Sequence, residues 1–209
     1  MKQINQFITE YIIKKRLDKP IDSENHCIYF PKTKEELISN IKELFDKGET
    51  DLNCIDTSEI TDMSYLFKNV RGINFDVSNW NVSNVENMSN IFSYCGNITD
   101  IDLSKWNVSN GMYFNLMFYK CENFKGNGLE KWSLDNAEYM SNMFEYCENF
   151  DCDVSNWKMS KAETIKYMFS YCVNFTGKGL NKWKLTPETK INKALDHCNI
   201  NKLPSWYKT

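Results

Sequence analysis

Apolar residues recur along most of this chain with a period of 25 or 26 residues, separated by polar stretches. Tryptophans form the clearest series: Trp80, Trp106, Trp132, Trp157 and Trp183. Phenylalanines follow the same period: Phe67, Phe92, Phe118, Phe144 and Phe169. Cysteines do so too: Cys95, Cys121, Cys147, Cys172 and Cys198. Three residue types that share one period indicate an internal repeat, and a degenerate first copy near residues 52–70 brings the number of repeats to about six.

Each repeat contains two patterns that predict short elements. The segment DVSNWNVS, residues 76–83, alternates apolar and polar residues, which predicts a strand. The segment NMSNIF, residues 87–92, spaces its apolar residues as one face of a short helical turn. Because so small a unit cannot bury its own apolar residues, equivalent residues of successive repeats should stack. The pattern predicts an α/β repeat solenoid over residues 51–201.

The two ends of the chain predict caps for this repeat region. Within residues 1–50, a helix is predicted over residues 3–16, a short strand over residues 27–30, and a second helix that begins at a capping box of Thr33 and Glu36. The apolar stripe of the second helix is Leu37, Ile41, Leu44 and Phe45, and Gly48 predicts its end. Residues 202–209, which include Pro204 and Trp206, are predicted to cover the last repeat.

The repeat motif resembles a known family. The sequences FDVSNWNVSNVENMSNIFSYC and IDLSKWNVSN are similar to the BspA-like leucine-rich-repeat family of bacterial surface proteins, in the variant with a W-x-V-S-x-V-x-x-M-x-x-M-F signature. The resemblance covers about three quarters of the chain. It implies a right-handed, leucine-rich-repeat-like solenoid of about six turns, with a parallel sheet on one side, that is used for protein contacts. Many members are exported or surface-anchored, and this chain looks closer to short, unexported members from gut bacteria and their phages.

Composition and charge narrow the possible functions. The chain has 209 residues, of which 42% are apolar and 25% are charged, and its net charge is −3. These values argue against a basic nucleic-acid-binding protein and against a disordered chain. No apolar run is long enough for a membrane helix. The N-terminal residues lack the continuous apolar core of a signal peptide. This predicts a cytoplasmic protein whose cysteines are free thiols. Display on the cell surface, reached by an unrecognised export route, is the alternative.

Residues suited to catalysis are few. The chain has two histidines, and both His26 and His197 are interpreted as surface residues. The cysteine series contains no C-x-x-C pair and is interpreted as a column of small buried side chains. Motifs of nucleotide-binding proteins and of hydrolases do not occur. The sequence therefore predicts no enzymatic activity, no cofactor and no metal site.

The residues that break the repeat are the candidates for binding. Met112 and Tyr113 occupy positions that Glu86 and Asn87 hold in the preceding repeat, and Tyr139 is the next equivalent of Tyr113. Exposed Met and Tyr side chains are typical of protein interfaces. The pattern predicts a protein-binding patch, with packing against a neighbouring loop as the alternative.

Charge is unevenly distributed along the chain. Residues 51–156 contain sixteen acidic and six basic residues, whereas residues 157–209 contain three acidic residues and ten lysines. Such asymmetry can steer a charged partner or favour head-to-tail self-association. It adds Lys158, Lys161 and Lys184 to the binding candidates, although a solvated basic face would have the same composition.

Taken together, these patterns predict a non-enzymatic protein-binding module. The resemblance suggests, as a more specific form, an inhibitor or adaptor from a phage or mobile element that acts on a host protein. An exported adhesion or surface protein is the alternative.

Overall fold

The structure, a computed structural model, describes residues 29–99 and 101–207. Regular secondary structure is sparse in these ranges. They contain one α-helix, α1 (Lys34–Lys47), and two single turns of 3-10 helix, Leu129–Lys131 and Leu180–Lys182. Parallel pairing in this part of the chain consists of isolated bridges, with no extended strand. None of its helices is long and apolar enough to cross a membrane.

The predicted α/β leucine-rich-repeat-like solenoid is therefore wrong. In the segment predicted as a strand, Asp76 forms an isolated bridge and the Trp80 N–H donates back to the Val77 carbonyl, which closes a tight turn. In the segment predicted as a helical turn, Asn90 has φ 60°. A left-handed residue interrupts a right-handed helix, so the apolar spacing there belongs to a series of turns.

Equivalent residues of neighbouring repeats nevertheless lie side by side. One parallel bridge joins each successive pair in the series Asp62, Asn87, Tyr113, Tyr139, Thr164 and Lys190. Alternate N–H groups of the turn segment donate to the following repeat: Met88 to the Tyr113 carbonyl at 2.8 Å, and Phe92 to the Met117 carbonyl at 3.0 Å. The N–H groups between them, such as that of Ile91, close turns within the repeat. The backbone thus pairs its polar groups without forming strands.

The periodic apolar residues form the core, as predicted. All five repeat tryptophans are buried, and so are the five repeat phenylalanines. The phenylalanine rings form a continuous stack with centroid distances of 5.8, 5.4, 5.3 and 5.5 Å. Four of the five repeat cysteines are buried and Cys198 is half-buried. The hydrophobic period therefore predicts which side chains are inside, although it does not predict the backbone conformation that puts them there.

Helix α1 lies where the sequence predicts the second helix. The Thr33 side chain accepts a hydrogen bond from the Glu36 N–H at 3.2 Å, and Gly48 ends the helix with φ 86°. All four residues of the predicted stripe are buried in the same core as the repeats. The predicted helix over residues 3–16 lies outside the described residues, as do Cys27 and Ile28 of the predicted strand, while Tyr29 forms an isolated bridge to Ile55.

The last repeat is covered by an aromatic side chain. The Trp206 ring stacks on Trp183 at a centroid distance of 5.7 Å, and its indole N–H donates to the Leu180 carbonyl at 2.9 Å. Pro204 is buried beside it. Trp206 therefore continues the core tryptophan series by one member, although it lies outside the repeat period.

Candidate functional site

A groove with a volume of about 450 Å³ crosses five neighbouring repeats. It is lined by Glu59, Thr61, Asn84, Glu86, Asn110, Met112, Asn136, Glu138 and Lys161. Most of these residues fall into two columns, one of asparagines that ends in Lys161, and one of glutamates interrupted by Met112. The groove is therefore built from side chains at equivalent positions of successive repeats.

The asparagine column is held in one orientation by the backbone. Each side-chain amide donates to a carbonyl of the preceding repeat: Asn84 to Ser58 at 2.8 Å, Asn110 to Ser83 at 2.6 Å, and Asn136 to Ser109 at 2.8 Å. Since the Nδ2 atom is the donor, the Oδ1 atom is left as an acceptor. In the last member of the column that acceptor is used, because the Lys161 ammonium donates to the Asn136 Oδ1 at 2.6 Å.

Three carboxylates make the groove acidic. Glu86 and Glu138 belong to the second column, whereas Glu59 is equivalent to Asn84 of the first. Glu59 and Glu86 are exposed, Glu138 is half-buried, and the lining contains one cation, Lys161. Carboxylate and amide oxygens together form a surface rich in hydrogen-bond acceptors. Such a surface favours ammonium and guanidinium groups, which donate several hydrogen bonds and accept none.

Two tyrosines, Tyr113 and Tyr139, directly follow groove residues in the sequence. Tyr113 and Tyr139 form one of the parallel bridges, and their rings stack at a centroid distance of 5.1 Å and an angle of 8°. A hydrogen bond from the Tyr139 hydroxyl to the Glu163 carboxylate raises the pKa of Tyr139 and fixes its ring. Tyr113 is 38% exposed, whereas Met112, which lines the groove, is half-buried. The structure thus brings together the three residues that break the repeat.

The three candidate lysines do not form one site. Lys161 lines the groove. Lys158 forms an ion pair with Asp135, with 3.1 Å between Nζ and Oδ1, and its side chain is largely exposed. Lys184 is exposed and is not part of the groove lining. Of the basic candidates, only Lys161 shares the groove with Met112.

A second aromatic column, which was not predicted from the sequence, lies at the surface. Tyr94, Tyr119, Tyr146, Tyr171 and His197 follow one another with centroid distances of 5.2, 6.1, 4.6 and 4.2 Å. The Lys120 ammonium lies 5.3 to 5.6 Å from three of these rings. The available signal was the aromatic residue directly before the repeat cysteine, which is Tyr94, Tyr146, Tyr171 or His197; Tyr119 lies two residues before Cys121. These rings contact one another, and most of them are half-buried.

The buried thiols have the chemistry of core side chains. Each repeat cysteine donates to the carbonyl of a phenylalanine in the preceding repeat, as Cys95 does to Phe67 at 3.0 Å. Burial raises the pKa of Cys95 and Cys198 to about 12. In the described part of the chain, no three His, Cys, Asp or Glu side chains are grouped so that they could hold a metal ion. His197 pairs with Asp196 at 3.3 Å, and His26 lies outside the described residues.

A comparison with protein families gives two overlapping matches. The model of the family described as "Mycoplasma protein of unknown function, DUF285" matches residues 37–129 and 113–206. Together the two ranges include most of α1 and all the repeats that form the groove. No curated protein and no solved structure matches the chain significantly.

Proposed function

This chain belongs to the DUF285 family, for which no function is described, and we propose that it is a non-enzymatic protein-binding module. The proposed binding surface is the face formed by Met112, Tyr113, Tyr139 and the groove beside them. The observation that carries the proposal is the stacked, partly exposed pair of tyrosines next to the half-buried Met112. Tyrosine and methionine are enriched at protein interfaces.

The tyrosines at this position are not needed by the fold. The same series of parallel bridges passes through Asn87, Thr164 and Lys190, so the backbone pairing accepts several side-chain types. Likewise, Glu86 and Glu138 hold the positions equivalent to Met112 in the adjacent repeats. Apolar and aromatic side chains that the core does not require, on a partly exposed face, support a role in recognition.

The tyrosine pair is also ordered before any partner arrives. Ring stacking and the hydrogen bond from Tyr139 to Glu163 restrict both side chains. Because less side-chain freedom is lost on binding, a preorganised surface gains affinity. The resemblance of the repeats to BspA-like proteins, whose repeats are used for protein contacts, further supports this function. In its more specific form, the proposal is that the partner is a host protein inhibited or recruited by a phage or mobile element.

The proposal is tested by affinity capture. The immobilised chain is incubated with a lysate of its native host, and bound proteins are identified by mass spectrometry and quantified. We expect the double variant Met112→Ala, Tyr113→Ala to retain at least about tenfold less of the specific partner, because truncating interface anchors costs most of the binding energy. Its free energy of unfolding should stay within about 1 kcal/mol of the wild type, since both side chains are partly exposed.

The control replaces two exposed apolar residues elsewhere. Val173 and Leu203 are 45% and 44% exposed and lie outside the groove, so Val173→Ala with Leu203→Ala should leave capture unchanged. Equal capture by the wild type and the Met112/Tyr113 variant would reject this surface as the binding site. A large loss of stability in that variant would show instead that the two residues serve the core.

A further inference from the structure

The lining of the groove favours a cationic occupant. Three carboxylates line it, and they lie within residues 51–156, where acidic residues outnumber basic ones by sixteen to six. Opposite charge in the occupant would speed its association and offset the cost of removing the carboxylates from water. Among protein side chains, lysine and arginine meet this requirement at neutral pH.

The chain itself shows how an ammonium group is held there. Lys161 reaches back one repeat and donates to the Asn136 Oδ1 at 2.6 Å. The amides of Asn84 and Asn110 are fixed by the same hydrogen bond to the preceding repeat, so their Oδ1 atoms are equivalent acceptors. A lysine or arginine of a partner would find at these two positions the acceptor that Lys161 uses at the third.

The spacing of the glutamates selects the conformation of the occupant. Backbones joined by parallel bridges lie about 4.8 Å apart. Glu86 and Glu138 are two repeats apart, with Met112 between them, which gives a separation of about 9.6 Å along the stack. A polyproline II helix returns to the same face every three residues, or about 9.3 Å. A β-strand returns every two residues, or about 6.7 Å, and does not match.

An α-helix does not match the glutamate spacing either. It returns to nearly the same face after about 5.4 Å, far less than the separation of about 9.6 Å. The stacked Tyr113 and Tyr139 directly follow the groove residues Met112 and Glu138 in the sequence, and aromatic rings are the surfaces on which polyproline II segments dock. Met112 offers an apolar contact between the two glutamates.

We infer that the groove binds a basic, extended segment of a partner protein in the polyproline II conformation, with lysine or arginine at every third residue. Successive cations would pair with Glu86 and Glu138, and the residues between them would contact Met112 and the tyrosines. This inference rests on the proposed function and names the kind of partner that the same surface takes.

Synthetic peptides test the spacing directly. The binding of fluorescent peptides to the full chain is followed by anisotropy at low salt. One peptide consists of four Lys-Pro-Pro units, and a second has the same composition with all lysines adjacent. We expect the first peptide to bind at least about fivefold more tightly, because only its lysines match the glutamate spacing. Equal affinities, or no binding of the first peptide, would overturn the inference.

Charge-neutral variants locate the peptide. The double variant Glu86→Gln, Glu138→Gln keeps the side-chain shape and should weaken binding of the Lys-Pro-Pro peptide at least about tenfold. The matched control, Glu122→Gln with Glu148→Gln, removes two exposed carboxylates outside the groove and should have no effect. Equal losses in both variants would indicate attraction by net charge alone and would also overturn the inference.

The outcome separates this inference from the proposed function. If the captured partner is lost from the Met112/Tyr113 variant but kept by the Glu86/Glu138 variant, the module binds protein and the basic-segment inference fails. If neither variant changes capture while the Lys-Pro-Pro peptide still binds the groove, the peptide site stands and the proposed binding surface for the partner fails.

Discussion

Each repeat tryptophan fills the core and also joins two repeats. The indole N–H of Trp132 donates to the Leu103 carbonyl at 3.0 Å, and that of Trp157 donates to the Leu129 carbonyl at 2.8 Å. A buried donor without a partner is costly, and here the preceding repeat supplies the acceptor. This pairing explains why tryptophan recurs at one position while phenylalanine, which has no polar atom, recurs at the other.

Replacing one of these tryptophans should therefore lower the free energy of unfolding strongly. Trp132 is 1% exposed, and Trp132→Ala should lower the free energy of unfolding by about 3–5 kcal/mol, measured by urea denaturation. Trp132→Phe keeps most of the apolar contact and loses only the hydrogen bond and part of the ring. Its free energy of unfolding should therefore fall less than that of Trp132→Ala. A loss below about 1 kcal/mol for the alanine variant would contradict the observed burial.

At the scale of elements, a series of turns takes the place of the short helical turn predicted in each repeat. In each repeat, two residues four positions apart have positive φ, as in Asn90 with Tyr94, and Asn142 with Tyr146. These left-handed residues turn alternate N–H groups toward the next repeat, where they find carbonyl acceptors. The pairing between repeats outweighs the cost of the left-handed conformation, which is roughly 1–2 kcal/mol per residue for side chains other than glycine.

The left-handed positions can be tested with a matched pair of glycine substitutions. Lys193 is exposed with φ 53°, so Lys193→Gly should raise the free energy of unfolding by about 0.5–1 kcal/mol through relief of strain. Lys166 lies in the preceding repeat and is not among the residues with positive φ, so Lys166→Gly should lower stability by a similar amount. Urea denaturation measures both variants. Equal losses in the two variants would argue against strain at Lys193.

The apolar pattern predicts neighbours better than it predicts backbone conformation. The spacing of Met88, Ile91 and Phe92 fits one face of a helix, and it fits equally well a series of turns in which each side chain stacks on the next repeat. Asparagines such as Asn90 were the sequence signal for a left-handed backbone, because asparagine tolerates that conformation. The signal is weak, because Leu116 and Tyr167 occupy the equivalent positions in other repeats.

The candidate site was predictable only in part. Met112, Tyr113 and Tyr139 were identified because they break the repeat, and the structure brings them together. The acidic groove was not, because Glu86 and Glu138 have the residue type expected of any solvent-exposed position. Recognising them as part of one groove requires knowing that they lie in a single column, one repeat on either side of Met112.

At the scale of the whole molecule, the cysteine column makes stability depend on pH. Burial raises the pKa of Cys121, Cys147 and Cys172 well above the usual range of a thiol. The folded protein therefore keeps these thiols protonated at a pH where those of the unfolded chain, with pKa values of about 8.5, ionise. Above that pH the unfolded state binds fewer protons than the folded state, so stability falls as the pH rises.

The contribution of the buried thiols to this pH dependence can be separated from that of lysines and tyrosines. We expect the melting temperature of the wild type to fall as the pH rises from about 8.5 toward about 11. In the variant with Cys121, Cys147 and Cys172 all replaced by alanine, the fall should be shallower, because these three thiols no longer titrate while lysines, tyrosines and the other thiols still do. The comparison is made by differential scanning calorimetry under reducing conditions. Parallel curves for the two proteins would contradict a contribution from the buried thiols.

The hydrogen bonds between repeats also have a mechanical consequence. The N–H groups of Met88, Asn90, Phe92 and Tyr94 all donate in the same direction, to the following repeat, and the same arrangement recurs from one repeat to the next. Tension applied to the two ends of the chain would load these boundaries one after another. Each repeat that detached would release about 26 residues, or roughly 90 Å of extended chain, so the molecule would lengthen in nearly equal steps, with the force falling after each one.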